Sequence, residues 1–316
     1  MSGLLELREK IKVFFVKNEM YIIPVLKFLL VITVIFAINM KMGYMEVLGN
    51  PVIIFALALI CAFLPLNVAV AVSCLYLVGN SYALSLEVSL VAVVLIFLMF
   101  LLYFRFSPRD AHIVLLVPIA FLLKIPYVVP LLVGLMAAPF SLVSMAFGII
   151  IYYFIDFVSK NAGALASGSD SDMVSKISFI VENLLANKMM LLLLVAFMAT
   201  ALVTYLVRQW NIDYVWNTAT IVGVLTNLLM LLVGQFMLNT TDSLISMLIS
   251  MVISAVLVVA MQLFAFSVDY TRTEYVQFED DEYYYYVKAV PKMTMSASVK
   301  KVKRINPQKR EQMIEK

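Results

Sequence analysis

Lys124 is the residue whose type and surroundings most directly suggest chemistry. It is a cation within the segment FLLKIP, residues 121–126, and has apolar sequence on both sides. A charge inside a membrane-spanning segment is costly and usually functional. Pro126 cannot continue a helix, because it lacks an N–H donor and clashes with the preceding turn. The sequence therefore places a positive charge where a helix must break.

A helix break inside a membrane leaves backbone N–H and C=O groups that must line a cavity or meet protein. Transporters hold substrates at such breaks, near the middle of the bilayer. A second interruption, at Pro65, has Asn67 beside it. We predict a substrate-binding site built from Lys124, Asn67, Pro65 and Pro126. The alternative is structural: Lys124 then marks a short cytoplasmic or interfacial turn, or its side chain extends along a tilted helix to the headgroups.

Four further polar residues lie within or at the edges of apolar segments: Glu87, Asn227, Gln235 and Gln262. Glu87 is close to the end of its segment, where a carboxylate can reach water. Amide side chains within membrane spans most often form hydrogen bonds between helices. We therefore expect Asn227, Gln235 and Gln262 to join neighbouring helices.

The sequence does not indicate an enzyme. It has one histidine, His112, and two cysteines, Cys61 and Cys74, which lie in apolar runs without ligand spacing. These residues do not provide a histidine-built metal site or catalytic triad. Motifs for nucleotide hydrolysis, zinc proteolysis and serine hydrolysis do not occur. We expect no catalytic residues, no metal and no cofactor.

The composition predicts which solvent surrounds most of the chain. Of its 316 residues, 64% are hydrophobic and 14% are charged, and the mean hydropathy is +1.00. A soluble domain is closer to half apolar and a quarter charged. The chain is therefore predicted to be an all-α polytopic protein whose main partner is the lipid bilayer.

A span needs about 20 apolar residues to cross a bilayer core of about 30 Å. Segments that meet this length are 21–40, 85–104, 140–157, 189–207, 215–238 and 243–268. The segments 51–64 and 67–82 are shorter than a comfortable span, and four prolines divide 113–139. We predict about eight spanning helices, with proline-broken or re-entrant segments at 51–82 and 113–139. The sequence leaves open whether 51–64 and 67–82 span fully or form a hairpin.

Positive charge predicts the topology, because Lys and Arg in short flanking loops stay cytoplasmic. Both ends of the chain are basic, which places both termini in the cytoplasm and requires an even number of crossings. Counting every apolar piece as a crossing, with 130–157 taken as one piece, gives an odd number. We therefore expect 113–139 to enter from the cytoplasm and return, with 158–188 outside the cell. The expected location is the plasma membrane.

Composition divides the chain into five regions. A cytoplasmic amphipathic arm (1–20) precedes a first membrane bundle (21–157) with the broken helices. A polar linker (158–188) follows, in which apolar residues recur at helical spacing behind a cap at Asp170 or Ser171. This pattern predicts a helix packed on the bundle or lying on the membrane surface. A second bundle of three spans (189–268) and a cytoplasmic tail (269–316) complete the chain.

The tail combines a β-rich segment with a basic end. Residues 270–290 predict an antiparallel hairpin turning at Asp280 and Asp281. Its tyrosines are expected to pack on a cytoplasmic protein partner or a second copy: Tyr283, Tyr284, Tyr285 and Tyr286. The basic end is expected to contact anionic lipid rather than nucleic acid through Lys300, Lys301, Lys303 and Arg304.

Two functions are compatible with these features. Prolines and a lysine at the helix breaks favour a permease-type transporter, or a transporter subunit, for a small solute. The tail favours a membrane scaffold or anchor that recruits a cytoplasmic partner. A polar cavity reaching Lys124 would favour transport.

Overall fold

The computed structural model describes residues 2–166, 173–212, 214–238, 244–265, 274–279 and 282–289. The chain divides into two compact units. One is Ile11–Leu263, called the helical body below, and the other combines Met1–Lys10 with Phe264–Lys316. Each unit is described by itself.

Helices make up nearly all of the described part of the chain. In chain order they are α1 (Ser2–Lys17), α2 (Glu19–Met42), α3 (Glu46–Gly49), α4 (Pro51–Phe63), α5 (Leu66–Leu84), α6 (Leu86–Phe106), α7 (Ala111–Leu122), α8 (Val128–Met136), α9 (Ser141–Lys160), α10 (Ala162–Ala166), α11 (Met173–Leu185), α12 (Lys188–Arg208), α13 (Val215–Leu238) and α14 (Leu244–Ala265).

Seven helices in the described residues are long and apolar enough to cross a membrane: α2, α5, α6, α9, α12, α13 and α14. A span of about 20 residues matches the bilayer core. The chain therefore has the architecture of an all-α, multi-pass membrane protein, as the composition predicts.

The first interrupted pair differs from the prediction in one respect. The segment 67–82 is not short: α5 is a 19-residue helix, Leu66–Leu84. Asn80 and Ser81 lie within it and donate side-chain hydrogen bonds to carbonyls of their own helix, at Tyr76 and Leu77. The predicted break is present, since Leu64 and Pro65 are extended. By contrast, α4 has 13 residues, or about 20 Å of helix.

Two of the four prolines lie at breaks in the segment 113–139, as expected: Pro126 and Pro139. The other two do not break it, because Pro118 lies inside α7 and Pro130 lies in the first turn of α8. The two short helices α7 and α8 are separated by residues 123–127, and this unit (111–136) is called the broken pair below. A further break at Ala137 and Pro139 separates it from α9. Residues 130–157 therefore do not form one continuous piece, because Pro139 again prevents the helix from continuing.

Both ends of the broken pair lie at the same end of the helical body. Ser141, five residues after Met136, donates a 2.5 Å hydrogen bond to Asp110, which precedes α7. Ser107 and Ser144 form a 2.6 Å hydrogen bond beside it. We call this the foot end. Lys41 and Asp156, in contact at 2.5 Å, mark the opposite end of α2 and α9.

The linker helix α11 has two apolar stripes. Ile180 and Leu184 are buried, whereas Val174 and Leu185 are exposed. Lys176 forms an ion pair with Glu87 of α6 at 3.7 Å. The helix thus packs on the bundle and also presents an outer apolar surface. The predicted cap at Asp170 or Ser171 lies outside the described residues.

The second unit contains two strands, β1 (Glu274–Glu279) and β2 (Tyr284–Ala289), paired antiparallel. The register sets Glu274 opposite Ala289 and Glu279 opposite Tyr284. The predicted turn residues, Asp280 and Asp281, lie outside the described residues.

Candidate functional site

The tip of the broken pair is a closed helix terminus. Lys124 has a φ of 58°, in the left-handed region that glycine usually occupies at this position. The Ile125 N–H reaches back to the carbonyl of Ala120 at 2.9 Å, and the Leu123 N–H bonds the Ile119 carbonyl at 2.9 Å. Pro126 follows, as is common after such an end. The carbonyls at the break therefore already accept backbone hydrogen bonds.

The backbone of Lys124, rather than its ammonium, connects the tip to the rest of the helical body. Its carbonyl accepts a 2.6 Å hydrogen bond from the hydroxyl of Ser250 on α14. The Lys124 side chain is exposed. Lys124 was predicted as a site residue because of its charge, but its contact with α14 is made by its main-chain carbonyl.

The structure does not bring Asn67 to Lys124. The Tyr103 hydroxyl lies 2.7 Å from Asn67 Oδ1 and 3.0 Å from the Pro108 carbonyl, at the foot end. Lys124 follows the other end of α7, a 12-residue helix that is about 18 Å long. Pro65 precedes α5 near Asn67, and Pro126 lies in the tip. The four predicted site residues therefore form two separate groups.

A polar pair that the sequence prediction did not assemble lies between α12 and α13. A Cβ added at Gly223 would clash with Thr204, so these residues are in direct contact. One helical turn from this contact, on the same face of each helix, lie Thr200 of α12 and Asn227 of α13. Both side chains are fully buried, and Thr200 Oγ1 and both polar atoms of Asn227 have no hydrogen-bond partner within the described residues. Both residues lie near the middle of their helices.

The broken pair packs directly on this region. A Cβ at Gly134 of α8 would lie 2.6 Å from Thr204 Cβ, and one at Gly223 would lie 2.8 Å from Leu131. Nearer the tip, the rings of Tyr127 and Phe197 are 6.0 Å apart. The spacing of Thr200 to Thr204 and of Gly223 to Asn227, four residues in each case, is the sequence signal that could have indicated this contact.

The other two predicted amides, Gln262 and Gln235, each contact a neighbouring helix. Gln262 of α14 donates to the Thr220 hydroxyl of α13 and lies 3.4 Å from the Trp216 carbonyl, so it joins two helices as predicted. The Gln235 amide lies 3.6 Å from Met247 Sδ, although its Oε1 has no partner in the described part of the chain. Asn227 departs from the prediction, because its amide has no hydrogen-bond partner among the residues that the structure describes.

A cavity of about 410 Å³ lies between α7 and α8. Asp110 and His112 line it at the foot end, and Leu123 and Ile125 line it near the tip. Met261 of α14 contributes to one wall. Apart from Asp110 and His112 the lining is apolar, and Lys124 is not part of it. The cavity therefore reaches the neighbours of Lys124 but is not polar there.

Both feet of the broken pair are fixed by hydrogen bonds. At the start of α7, the carboxylate of Asp110 accepts a hydrogen bond from the hydroxyl of Ser141, the first residue of α9. Arg208 of α12 donates to the carbonyl of Leu135 in the last turn of α8. Its guanidinium also lies 5.3 Å from the rings of Tyr205 and Trp216. This cation stabilises the carbonyl end of α8.

The remaining predicted binding residues lie in the tail. Tyr283, Tyr284, Tyr285 and Tyr286 are exposed, from 38% for Tyr285 to 76% for Tyr286. The basic residues Lys300, Lys301, Lys303 and Arg304 lie outside the described residues. The described residues also contain no group of three or more histidine, cysteine, aspartate or glutamate side chains able to hold a metal.

Comparison with known proteins adds no relative. No family model, no curated protein and no solved structure matches the chain. A functional proposal for this chain therefore rests on the contacts within its own structure.

Proposed function

We propose that this protein is a permease-type transporter, or the membrane subunit of one, for a small solute. The observation that carries the proposal is the buried, unpartnered pair Thr200 and Asn227 beside the broken pair. A carboxamide supplies two donors and two acceptors, and a hydroxyl supplies a donor and an acceptor. The solute class that fits is small and uncharged, with both donors and acceptors.

Energetics support a functional reason for these side chains. A buried polar group without a hydrogen bond costs about 1–3 kcal/mol, and water is not present in a bilayer core to reduce that cost. A leucine at Asn227 would remove the cost. A solute that bonds Asn227 and Thr200 offsets it only while bound, as an occluded substrate site requires.

The packing around the pair supports a site that opens. Gly134 and Gly223 allow α8, α12 and α13 to approach closely through smooth surfaces. The broken pair enters and leaves at the foot end, so its tip is held by side-chain contacts rather than by a continuous helix. Movement of α8 along α12 would expose Thr200 without unfolding a span.

We also propose the plasma membrane as the location, with both termini in the cytoplasm. Arg105, Arg109 and Arg208 lie near the foot end, where α2 begins and α14 ends. Eight helices then run between the two ends: α2, α4, α5, α6, α9, α12, α13 and α14. The broken pair does not cross, which agrees with an even number of crossings. Cytoplasmic basic residues at the foot end support this orientation.

Access from both sides of the membrane tests the transport proposal without a known substrate. In a variant with alanine at Cys61 and Cys74, we expect a cysteine at Thr200 to react with a membrane-impermeant thiol reagent added from either side. A cysteine at Leu229, which is 60% exposed at a similar depth of α13, is the control and should stay unreactive. Reaction of the Thr200 cysteine from neither side would contradict transport.

Flux measurements extend this test once a solute is found. Asn227→Leu should abolish flux while leaving the protein at least as stable as the parent. Lys124→Met keeps the stem and removes the charge; it lowers flux if the ammonium guides the solute to the tip. Unchanged flux in Lys124→Met would remove Lys124 from the site and leave Asn227 and Thr200.

A scaffold role is the second candidate, and the exposed tyrosines of β2 favour it. A two-stranded hairpin is marginally stable alone and gains from a covering surface. Replacing Tyr284 and Tyr286 with serine should abolish capture of a cytoplasmic partner in a scaffold. In a transporter, the same change should leave access to Thr200 unaltered.

A further inference from the structure

The cavity between α7 and α8 has the form of a lipid-chain site. Its lining is apolar from Ile113 near the foot end to Leu123 at the tip. It follows a 12-residue helix, about 18 Å long. One leaflet of the bilayer core is about half of the 30 Å total. The lining residues therefore follow most of α7, a length somewhat greater than the depth of one leaflet.

The polar residues of this cavity are confined to one end. Asp110 and His112 lie together before and within the first turn of α7, at the foot end of the helical body. The Asp110 carboxylate is held in place by the Ser141 hydroxyl at 2.5 Å. Arg109 next to it is exposed. An amphiphile with its chain in the cavity would have its headgroup at this cluster.

Charge favours one class of headgroup. The carboxylate of Asp110 is the one acidic group that the described residues contribute to the lining, and a carboxylate can accept hydrogen bonds from a cation. The guanidinium of Arg109 is suited to a phosphate. A zwitterionic headgroup with a phosphate and a terminal ammonium satisfies both.

Methionines border the space that such a chain would occupy. Met136 of α8 and Met261 of α14 line the cavity, and Met136 is 54% exposed. Methionine is unbranched and adapts its shape to irregular apolar ligands. These side chains fit a flexible hydrocarbon chain rather than a rigid ligand.

We propose that this cavity binds one hydrocarbon chain of a phospholipid with an ammonium headgroup, held at Asp110. This site is separate from the polar pair at Thr200 and Asn227, and it does not depend on transport. A scaffold and a transporter would both have it.

Lipid retention tests the site. The full chain, purified in detergent, is incubated with equal amounts of phosphatidylethanolamine and phosphatidylglycerol, and the lipids that remain bound are measured by native mass spectrometry. We expect preferential retention of phosphatidylethanolamine. Asp110→Asn should reduce that preference by about tenfold, the effect of losing one charged hydrogen bond.

Variants that fill the cavity provide a second, independent test. Leu116→Trp introduces a large side chain at an exposed lining position, and Met136→Trp is the second variant if the first does not fold. Both should lower retention at least tenfold. Val93→Trp, at an exposed position of α6 outside the cavity, is the matched control and should retain lipid like the parent.

Two outcomes would overturn the proposal. Equal retention by the cavity-filling variants and by Val93→Trp would show that the bound lipid lies elsewhere. Equal retention of both lipids, unchanged by Asp110→Asn, would show that the site does not recognise an ammonium headgroup.

Discussion

The hydroxyl of Ser250 donates a 2.6 Å hydrogen bond to the carbonyl of Lys124, and so attaches the last helix of the body to the tip of the broken pair. The two residues are 126 positions apart in the chain. This bond forms just after the end of α7, where the backbone has left the helix. It makes the position of the tip dependent on α14.

Ser250→Ala should loosen the tip. Loss of one neutral hydrogen bond costs about 0.5–1.5 kcal/mol, and here the carbonyl of Lys124 loses its donor from α14. We expect faster amide hydrogen exchange at residues 123–128, measured by mass spectrometry. Ser254→Ala is the matched control, because Ser254 donates only within its own helix, to the Ser250 carbonyl. Identical exchange in both variants would argue against the tether.

Lys124→Gly should be neutral or stabilising by up to about 1 kcal/mol, because glycine adopts a positive φ without a Cβ clash. Lys124→Val should destabilise by about 1–2 kcal/mol for the opposite reason. Chemical denaturation or thermal unfolding in detergent measures both.

The neighbour Leu123 provides the control for this pair, because its φ of −75° is ordinary for any residue. Leu123→Gly should lower the free energy of unfolding, whereas Lys124→Gly should not. If glycine is equally unfavourable at both positions, then the tip is not held in the left-handed conformation.

Arg208→Ala should free the foot of α8. A hydrogen bond to a charged group contributes about 1.5–3 kcal/mol, and the Leu135 carbonyl would lose its cation. We expect a lower unfolding temperature and faster exchange of residues 131–136. Arg105→Ala, at an exposed arginine in the last turn of α6, should change neither. A Lys at position 208 should restore only part of the loss, because an ammonium lacks the planar contact with Tyr205 and Trp216.

Topology can be tested with two single cysteines in the same background with alanine at Cys61 and Cys74. A cysteine at Glu182, exposed on α11, should react with an impermeant reagent in intact cells. A cysteine at Arg109, exposed at the foot end, should react only after permeabilisation. The reverse pattern would invert the orientation, and reaction of both in intact cells would exclude a re-entrant broken pair.

Local features of the fold could be predicted from the sequence because their causes are local. Pro65, Pro126 and Pro139 lie where helices are interrupted, since ring geometry and the missing N–H act within a turn. Pro24 and Pro118, by contrast, lie inside α2 and α7, so proline marks a possible break rather than a certain one. The end of α5 was harder to predict, because Asn and Ser are favoured at helix ends and turns, whereas here Asn80 and Ser81 lie inside the helix with their side chains bonded to the preceding turn.

The candidate site was less predictable than the breaks. Lys124 stands out by its charge, yet its side chain is exposed and outside the cavity. Thr200 is inconspicuous in an apolar span, and Asn227 resembles any amide that joins helices. Their opposition depends on how α12 and α13 are rotated about their axes, which packing at Gly223 and Thr204 sets.

The sequence by itself determined that the chain is a multi-pass membrane protein with helical spans, and it marked the places where those helices can be interrupted. Composition is a sum over residues and needs no knowledge of neighbours, and a proline restricts the backbone within its own turn. Which prolines interrupt a helix was left to the structure, since Pro118 lies inside α7. Tertiary structure decided which interruptions meet: Asn67 contacts Tyr103 at the foot end, whereas Lys124 contacts Ser250 on α14. The physical reason is that helix rotation and side-chain partners depend on contacts between distant segments, which local pattern does not specify.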